Sequence, residues 1–250
     1  MTLVEIENVT RRFGGLLAVD DVTTRVEAGE LVGLIGPNGA GKTTLFNLIS
    51  GFTPLTAGRV RFKGEAIDGL KPHVIAARGM SRTFQNLRVF PNMSVFDNVS
   101  VGAVGKMGLS AGRAIFGGAG RSQAISQATW EALERVGLTE VAGELAANLS
   151  YGKRKYLEIA RALAMRPDFL ILDEPAAGLN DSETAELARF IRSLNAEGLA
   201  VMLVEHDMNL VMSICSRVVV LASGRKIADA EPDVVRADPA VLEAYLGVEE

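Results

Sequence analysis

Two short stretches of the chain place residues suited to phosphate chemistry at motif spacing. The first is Gly36-Pro37-Asn38-Gly39-Ala40-Gly41-Lys42-Thr43, followed by Thr44. It fits the pattern G-x-x-x-x-G-K-[ST], in which glycines let backbone N–H groups turn inward around an anion. An apolar run, Leu31 to Ile35, precedes it and a run with helical spacing follows, so the positive end of a helix completes the cradle. Lys42 would then meet the β- and γ-phosphates of a nucleotide, and the Thr43 hydroxyl would ligate Mg²⁺. The second stretch is Phe169-Leu170-Ile171-Leu172-Asp173-Glu174. Four apolar residues form a buried strand and deliver Asp173 to its end, where a carboxylate can hold the metal shell. Glu174 adjoins it and can take the proton from an attacking water. No N-K-x-D guanine reader occurs in the sequence, which argues against a GTPase.

A third place is suited to an anion. Ser150 in Asn148-Leu149-Ser150-Tyr151-Gly152-Lys153 is a good helix N-cap, and Gly152 keeps the first turn open to close approach. The helix is expected over Lys155 to Met165, with Leu157, Ala160, Arg161 and Ala164 in register.

The elements that must position these residues alternate. Leu3 to Val9, Val19 to Val26 and Leu31 to Ile35 read as strands, with weaker ones at Arg59 to Phe62 and Arg82 to Phe84. Later come a strand at Phe169 to Leu172 and a helix from Ser182 to about Glu197, with Leu187, Phe190, Ile191 and Leu194 on one face. A strand at Ala200 to Val204, a helix near Asp207 to Ile214 and a strand at Val218 to Leu221 follow. Apolar strands separated by helices imply an α/β fold with a mostly parallel sheet covered on both faces. The middle differs. Gly102 to Arg121 is rich in glycine and reads as a surface excursion. Ile125, Ala128, Thr129, Ala132, Leu133 and Val136 then mark an amphipathic helix ending at Gly137.

Composition excludes several classes. The formal charge of −4 gives no support for a strongly basic nucleic-acid surface, so no nucleic-acid partner is expected. The single cysteine, Cys215, cannot form an internal disulfide or a cysteine zinc cluster, in keeping with a reducing cytosol. The N-terminus carries early acidic residues and does not read as a signal peptide. The longest apolar runs, such as Val218 to Ala222, fall far short of the roughly 18 residues of a membrane helix, so a role at a membrane would need another chain to span it.

The ordered set of motifs resembles the ATP-binding cassette (ABC) ATPases over essentially the whole length. "LSYGK" resembles their LSGGQ signature, in the right order between the phosphate loop and "LDEP". Gln85 in "TFQN" matches the Q-loop, "AGLN" from Ala177 to Asn180 the D-loop, and His206 in "EHD" the switch histidine. Phe13 resembles the aromatic that stacks on adenine. The resemblance implies a P-loop NTPase core at about 1–85 and 166–250, an antiparallel β subdomain near the N-terminus, and a helical subdomain at about 86–165. It further implies ATP and Mg²⁺ as cofactors, with Thr43, Gln85 and Asp173 at the metal and Glu174, His206 and Lys42 acting in hydrolysis. Ser150, Tyr151, Gly152 and Lys153 would cap the ATP of a partner in a head-to-tail homodimer or heterodimer. The chain departs from the family pattern at Tyr151, Lys153 and Asn180.

Within the family, "FQNLRVFPNMSVFDNV", "VEHDMNLVM" and the tail "DPAVLEAYLG" resemble the ATPase subunits of branched-chain amino acid importers. That implies a peripheral place at the cytoplasmic face of the membrane, integral permease subunits as partners, and an indirect link to a solute-binding protein. Two rivals are the ATPase of a lipid or lipopolysaccharide exporter, and a soluble cassette acting as an assembly or scaffold partner. A transport ATPase is expected to offer an apolar groove after Gln85, built from Leu87, Val89, Phe90 and Met93, to a helix of the membrane subunit. His73 has no motif around it.

Overall fold

In the strands at the centre of the molecule, successive side chains go to opposite faces, and both faces are buried. The structure is a computed structural model that describes residues 1–85, 87–107 and 118–246. Its main sheet has six strands in the order β10-β9-β3-β8-β7-β6. They are β3 (Leu31–Ile35), β6 (Met80–Arg82), β7 (Phe169–Asp173), β8 (Ala200–Val204), β9 (Arg217–Ala222) and β10 (Arg225–Ala230). All neighbours run parallel except the β9–β10 hairpin. Along β7, Phe169 and Ile171 enter one core while Leu170 and Leu172 enter the other.

The first core lies between this sheet, helix α1 (Lys42–Ile49) and a second sheet of order β2-β1-β4-β5. That sheet is antiparallel throughout and comprises β1 (Thr2–Phe13), β2 (Leu16–Glu27), β4 (Ala57–Phe62) and β5 (Glu65–Ala66). A short helix, α2 (Pro72–Ala77), leads into β6. The opposite core is closed by α3 (Val95–Met107), α4 (Gly118–Arg135), α5 (Tyr151–Leu163), α6 (Asp181–Ala196) and α7 (Met208–Ile214). Two more helices, α8 (Pro232–Ala237) and α9 (Pro239–Leu246), end the described chain. This is a P-loop NTPase fold. The helices between β6 and β7 share one hydrophobic cluster with the sheet, so they are packed onto the nucleotide core.

Several expected elements shift. Gly102 does not belong to a surface excursion: it lies inside α3, and Gly118 to Arg121 opens α4. A Cβ at Gly102 would collide with the carbonyl oxygen of Arg161, so this glycine is there for close approach of α3 to α5. Residues 108–117 of that stretch lie outside the described residues. The strand expected at Arg82 to Phe84 is instead β6, ending at Arg82. Thr83 makes one last backbone bond, to Ile171 at 2.9 Å, and the chain then leaves the sheet. Helix α5 starts four residues before Lys155, because Ser150 caps it by accepting from the Lys153 N–H. β10, α2, α8 and α9 had no counterpart in the sequence reading.

Candidate nucleotide site

The phosphate loop joins β3 to α1, where Gly41 at φ 98° caps the helix in a conformation that favours glycine. Asn38 through Thr44 line a cleft of about 540 Å³, together with Leu16, Leu17 and Ala18 from β2. Lys42 is buried, and its ammonium donates to the carbonyls of Gly36 at 2.6 Å and Pro37 at 3.0 Å. Burial lowers its pKa, opposed by the charges of Glu174 and Asp173. A triphosphate in the loop would give this ammonium a fully charged partner in place of two carbonyls. Thr43 faces the same cleft.

Three residues from distant motifs meet on the cleft's far wall. Glu174 Oε1 lies 2.8 Å from His206 Nε2, and Oε2 accepts a hydrogen bond from Gln85 Nε2 at 2.9 Å. Glu174 occupies a left-handed backbone conformation, φ 49°, one residue beyond β7. Its N–H donates to Val204 at 2.9 Å, and its carbonyl accepts from the buried Lys155 Nζ at 3.2 Å. Behind it sits Glu205, which sequence reasoning passed over. Its carboxylate accepts from the N–H of Ala176 at 2.7 Å and of His206 at 3.2 Å, and burial raises its pKa. Asp173 is almost fully buried, paired to Arg82 through Oδ2 at 2.7 Å. Asp173 is not among the residues lining the cleft, whereas Thr43 is. The other Asp173 carboxylate oxygen and the Thr43 hydroxyl are hard oxygen donors of the kind that Mg²⁺ takes alongside phosphate oxygens, so their chemistry suits that ion.

The remaining expected residues lie elsewhere. Phe13 pairs with Leu16 across the β1–β2 turn and stands half exposed under the Arg11 guanidinium, 4.4 Å from its ring centre. Leu16, not Phe13, lines the cleft. Ser150, Tyr151 and Lys153 are exposed at the start of α5 and do not line their own chain's cleft. Tyr151 donates its hydroxyl to the Ala177 carbonyl at 3.2 Å, strapping the signature segment to the loop after Glu174. Asn180 caps α6 in a reciprocal box with Glu183, bonds of 3.0 and 2.9 Å.

A groove does lie beside Gln85, with different walls from those expected. A pocket of about 310 Å³ is lined by Phe52, Phe84, Val101, Met165 and the polar Arg82, Glu158 and Arg161, with His73 at its edge. Leu87, Val89, Phe90 and Met93 are not in it. Val89 turns inward onto the core, and the Arg161 guanidinium stands 5.7 Å from the centre of the Phe90 ring.

A phosphate loop after β3, a histidine just past the adjacent parallel strand β8 and a carboxylate pair at the end of β7, the next strand out, define an ATPase, and comparison with known proteins gives its family. The model of the "ABC transporter" family matches residues 19–177, more than half of the chain, and the chain belongs to that family of ATP-binding, ATP-hydrolysing proteins. More narrowly, the family described as "Branched-chain amino acid ATP-binding cassette transporter" matches residues 225–250. The chain is 44% identical to the high-affinity branched-chain amino acid transport ATP-binding protein BraF of Pseudomonas aeruginosa, over 98% of both chains. It is 43% identical to LivG of Escherichia coli K12, of like description, again over 98% of each. Identity to the lipopolysaccharide export system ATP-binding protein LptB of Escherichia coli K12 is lower, 33%, over 99% of this chain and 98% of LptB. Among solved structures, the ADP conformation of MJ1267, an ATP-binding cassette of an ABC transporter, superposes with a TM-score of 0.86 at 31% identity, covering 99% of both chains.

Proposed function

We propose that this ATPase energises import of branched-chain amino acids or related small polar solutes through separate permease subunits. It would work at the cytoplasmic face of the membrane as a head-to-tail pair, with a solute-binding protein choosing the cargo. The observation that carries this reading is the match of the tail, residues 225–250, to the branched-chain amino acid family, in a segment outside the phosphate-handling motifs. The higher identity to BraF than to LptB supports import over lipopolysaccharide export. Among the described residues no helix is long and apolar enough to cross a membrane.

In the hydrolytic step, Glu174 takes a proton from water as the water oxygen attacks the γ-phosphorus. The bond to the β-bridging oxygen breaks, and ADP and phosphate leave. Lys42 and the His206 imidazole stabilise the charge that develops on the γ-phosphoryl oxygens. Gln85 holds Glu174 Oε2 and reports on the site. Thr43 and Asp173 would hold Mg²⁺, which would supply charge neutralisation at the phosphates. The exposed start of α5, with its Ser150 cap, serves a second chain's nucleotide. The groove of Phe52, Phe84 and Val101 receives a permease helix, next to the Gln85 that senses the nucleotide.

Purification of the tagged chain from native membranes tests the transport reading. The expected outcome is co-purification of an integral permease, and loss of leucine uptake when the gene is deleted. Recovery without any membrane partner, and unaltered uptake, would favour the scaffold alternative.

A further inference from the structure

Arg82 is the residue that the motif reading left without a role, and its surroundings are unusual for an arginine. Its side chain is only 6% exposed and its partner Asp173 3%. Nη2 donates to Asp173 Oδ2 at 2.7 Å, while Nη1 donates to Asn47 Oδ1 at 2.7 Å and Ser50 Oγ at 3.1 Å, both on or just after α1. The guanidinium sits among three aromatic rings, 5.2 Å from the centre of Phe84, 5.6 Å from Phe46 and 5.8 Å from Phe52. An arginine fork fixed at both ends and walled by rings has little freedom left, so the carboxylate it grips is fixed as well.

We propose that Arg82 is a positioning residue for the metal site: it commits Asp173 Oδ2 to itself and aims Oδ1 at the Mg²⁺ of the nucleotide complex. The proposal rests on the reading of Asp173 as the residue that holds the metal. Lysine at this position could not reproduce the function in full, because one ammonium lacks the planar fork that spans Asp173 on one side and Asn47 with Ser50 on the other. The same guanidinium lines the groove, with Phe52, Phe84 and Ser50. It therefore stands in contact with both the proposed permease-docking surface and the metal carboxylate.

The test is equilibrium binding of a fluorescent ATP analogue (MANT-ATP) to the full-length protein, titrated with Mg²⁺ and repeated in EDTA. Groups that orient a metal-binding carboxylate typically change metal affinity by 10–100-fold when removed. Arg82→Met should therefore raise the Mg²⁺ needed for half-maximal tightening by about tenfold, while the EDTA affinity changes by less than about twofold. Arg82→Lys should fall between the two. A loss of equal size with and without Mg²⁺ would mark Arg82 as merely structural and overturn the proposal, as would wild-type Mg²⁺ dependence. If Arg82→Met does not fold, Arg82→Lys decides alone, since it retains the charge and loses the fork; an unshifted Mg²⁺ midpoint there overturns the proposal. Asp173→Asn is measured beside them. Should it leave Mg²⁺ dependence intact, the metal assignment fails and takes the proposal with it. Should it abolish that dependence while Arg82→Met does not alter it, only the role of Arg82 fails.

Discussion

Glu174 is held from four directions: His206 and Gln85 on its carboxylate, Lys155 on its carbonyl and Val204 on its N–H. A general base gains from such restraint, because its oxygen must meet the water proton at hydrogen-bond distance. Glu174→Gln keeps the shape and the hydrogen bonds to Gln85 and His206 within reach, but removes the basic oxygen. Its expected effect is a fall in the hydrolysis rate of at least about a hundredfold, with ATP affinity retained and an ATP-bound dimer accumulating. Size measurement with ATP that finds only monomer would count against the paired-chain mechanism. At this scale the sequence was readable wherever chemistry sits in a short motif. Lys42, Asp173, Glu174, Gln85 and His206 all announce themselves by neighbours in the chain. Arg82 does not, because its partner Asp173 is 91 residues away on the adjacent strand. Glu205 and Lys155 were likewise hidden: the Ala176 N–H that Glu205 accepts from and the Glu174 carbonyl that Lys155 donates to are brought near only by the folded chain.

Elements here are joined by more than their own ladders. Arg217 on β9 donates to Asp229 on β10 at 2.5 Å and to Glu30 at 2.6 Å, and Thr24 on β2 donates to Asp229 at 2.9 Å. This network fastens the antiparallel edge of the main sheet to the second sheet. Burial works to raise the pKa of Asp229, but the hydrogen bond from Lys226, the Arg217 charge and the Thr24 hydroxyl together hold it below the usual carboxylate value of 3.8. A depressed carboxylate stabilises the fold above its ordinary pKa, and that contribution is lost as the pH falls through the depressed value. Asp229→Asn should therefore cost about 1–3 kcal/mol at pH 7. The deficit against wild type should shrink as the pH drops below about 4. Denaturant titrations across that range check it, and a deficit independent of pH would mean that the loss is one of packing. The edge strand was not foreseen, since Arg225 to Ala230 alternates weakly and is only partly buried. The glycines near α3 misled in the opposite direction. Their density resembles a loop, yet Gly102 marks a helix crossing whose tightness depends on a carbonyl of α5.

The whole molecule carries two helix starts with the features of an anion site. That of α1 opens into the chain's own cleft, while that of α5, with Ser150 and an exposed Tyr151, stays outside it. In the proposed head-to-tail pair, two chains would use all four helix starts on two nucleotides. Tyr151 and Lys155 tie the start of α5 to the Ala177 and Glu174 carbonyls, so in the proposed pair capping of the partner's ATP would be mechanically joined to the chain's own proposed base. Complementation tests this arrangement. Lys42→Ala disables a chain's own phosphate loop, and Ser150→Arg disables what it offers its partner, so each variant alone should be inactive. Mixed, half of the pairs hold one intact composite site, made from the loop of the Ser150→Arg chain and the signature of the Lys42→Ala chain. Random pairing with independent sites gives roughly a quarter of wild-type hydrolysis. Activity confined to sites built within one chain would give no recovery at any mixing ratio, and that result would remove the shared-site geometry while leaving the phosphate loop itself intact.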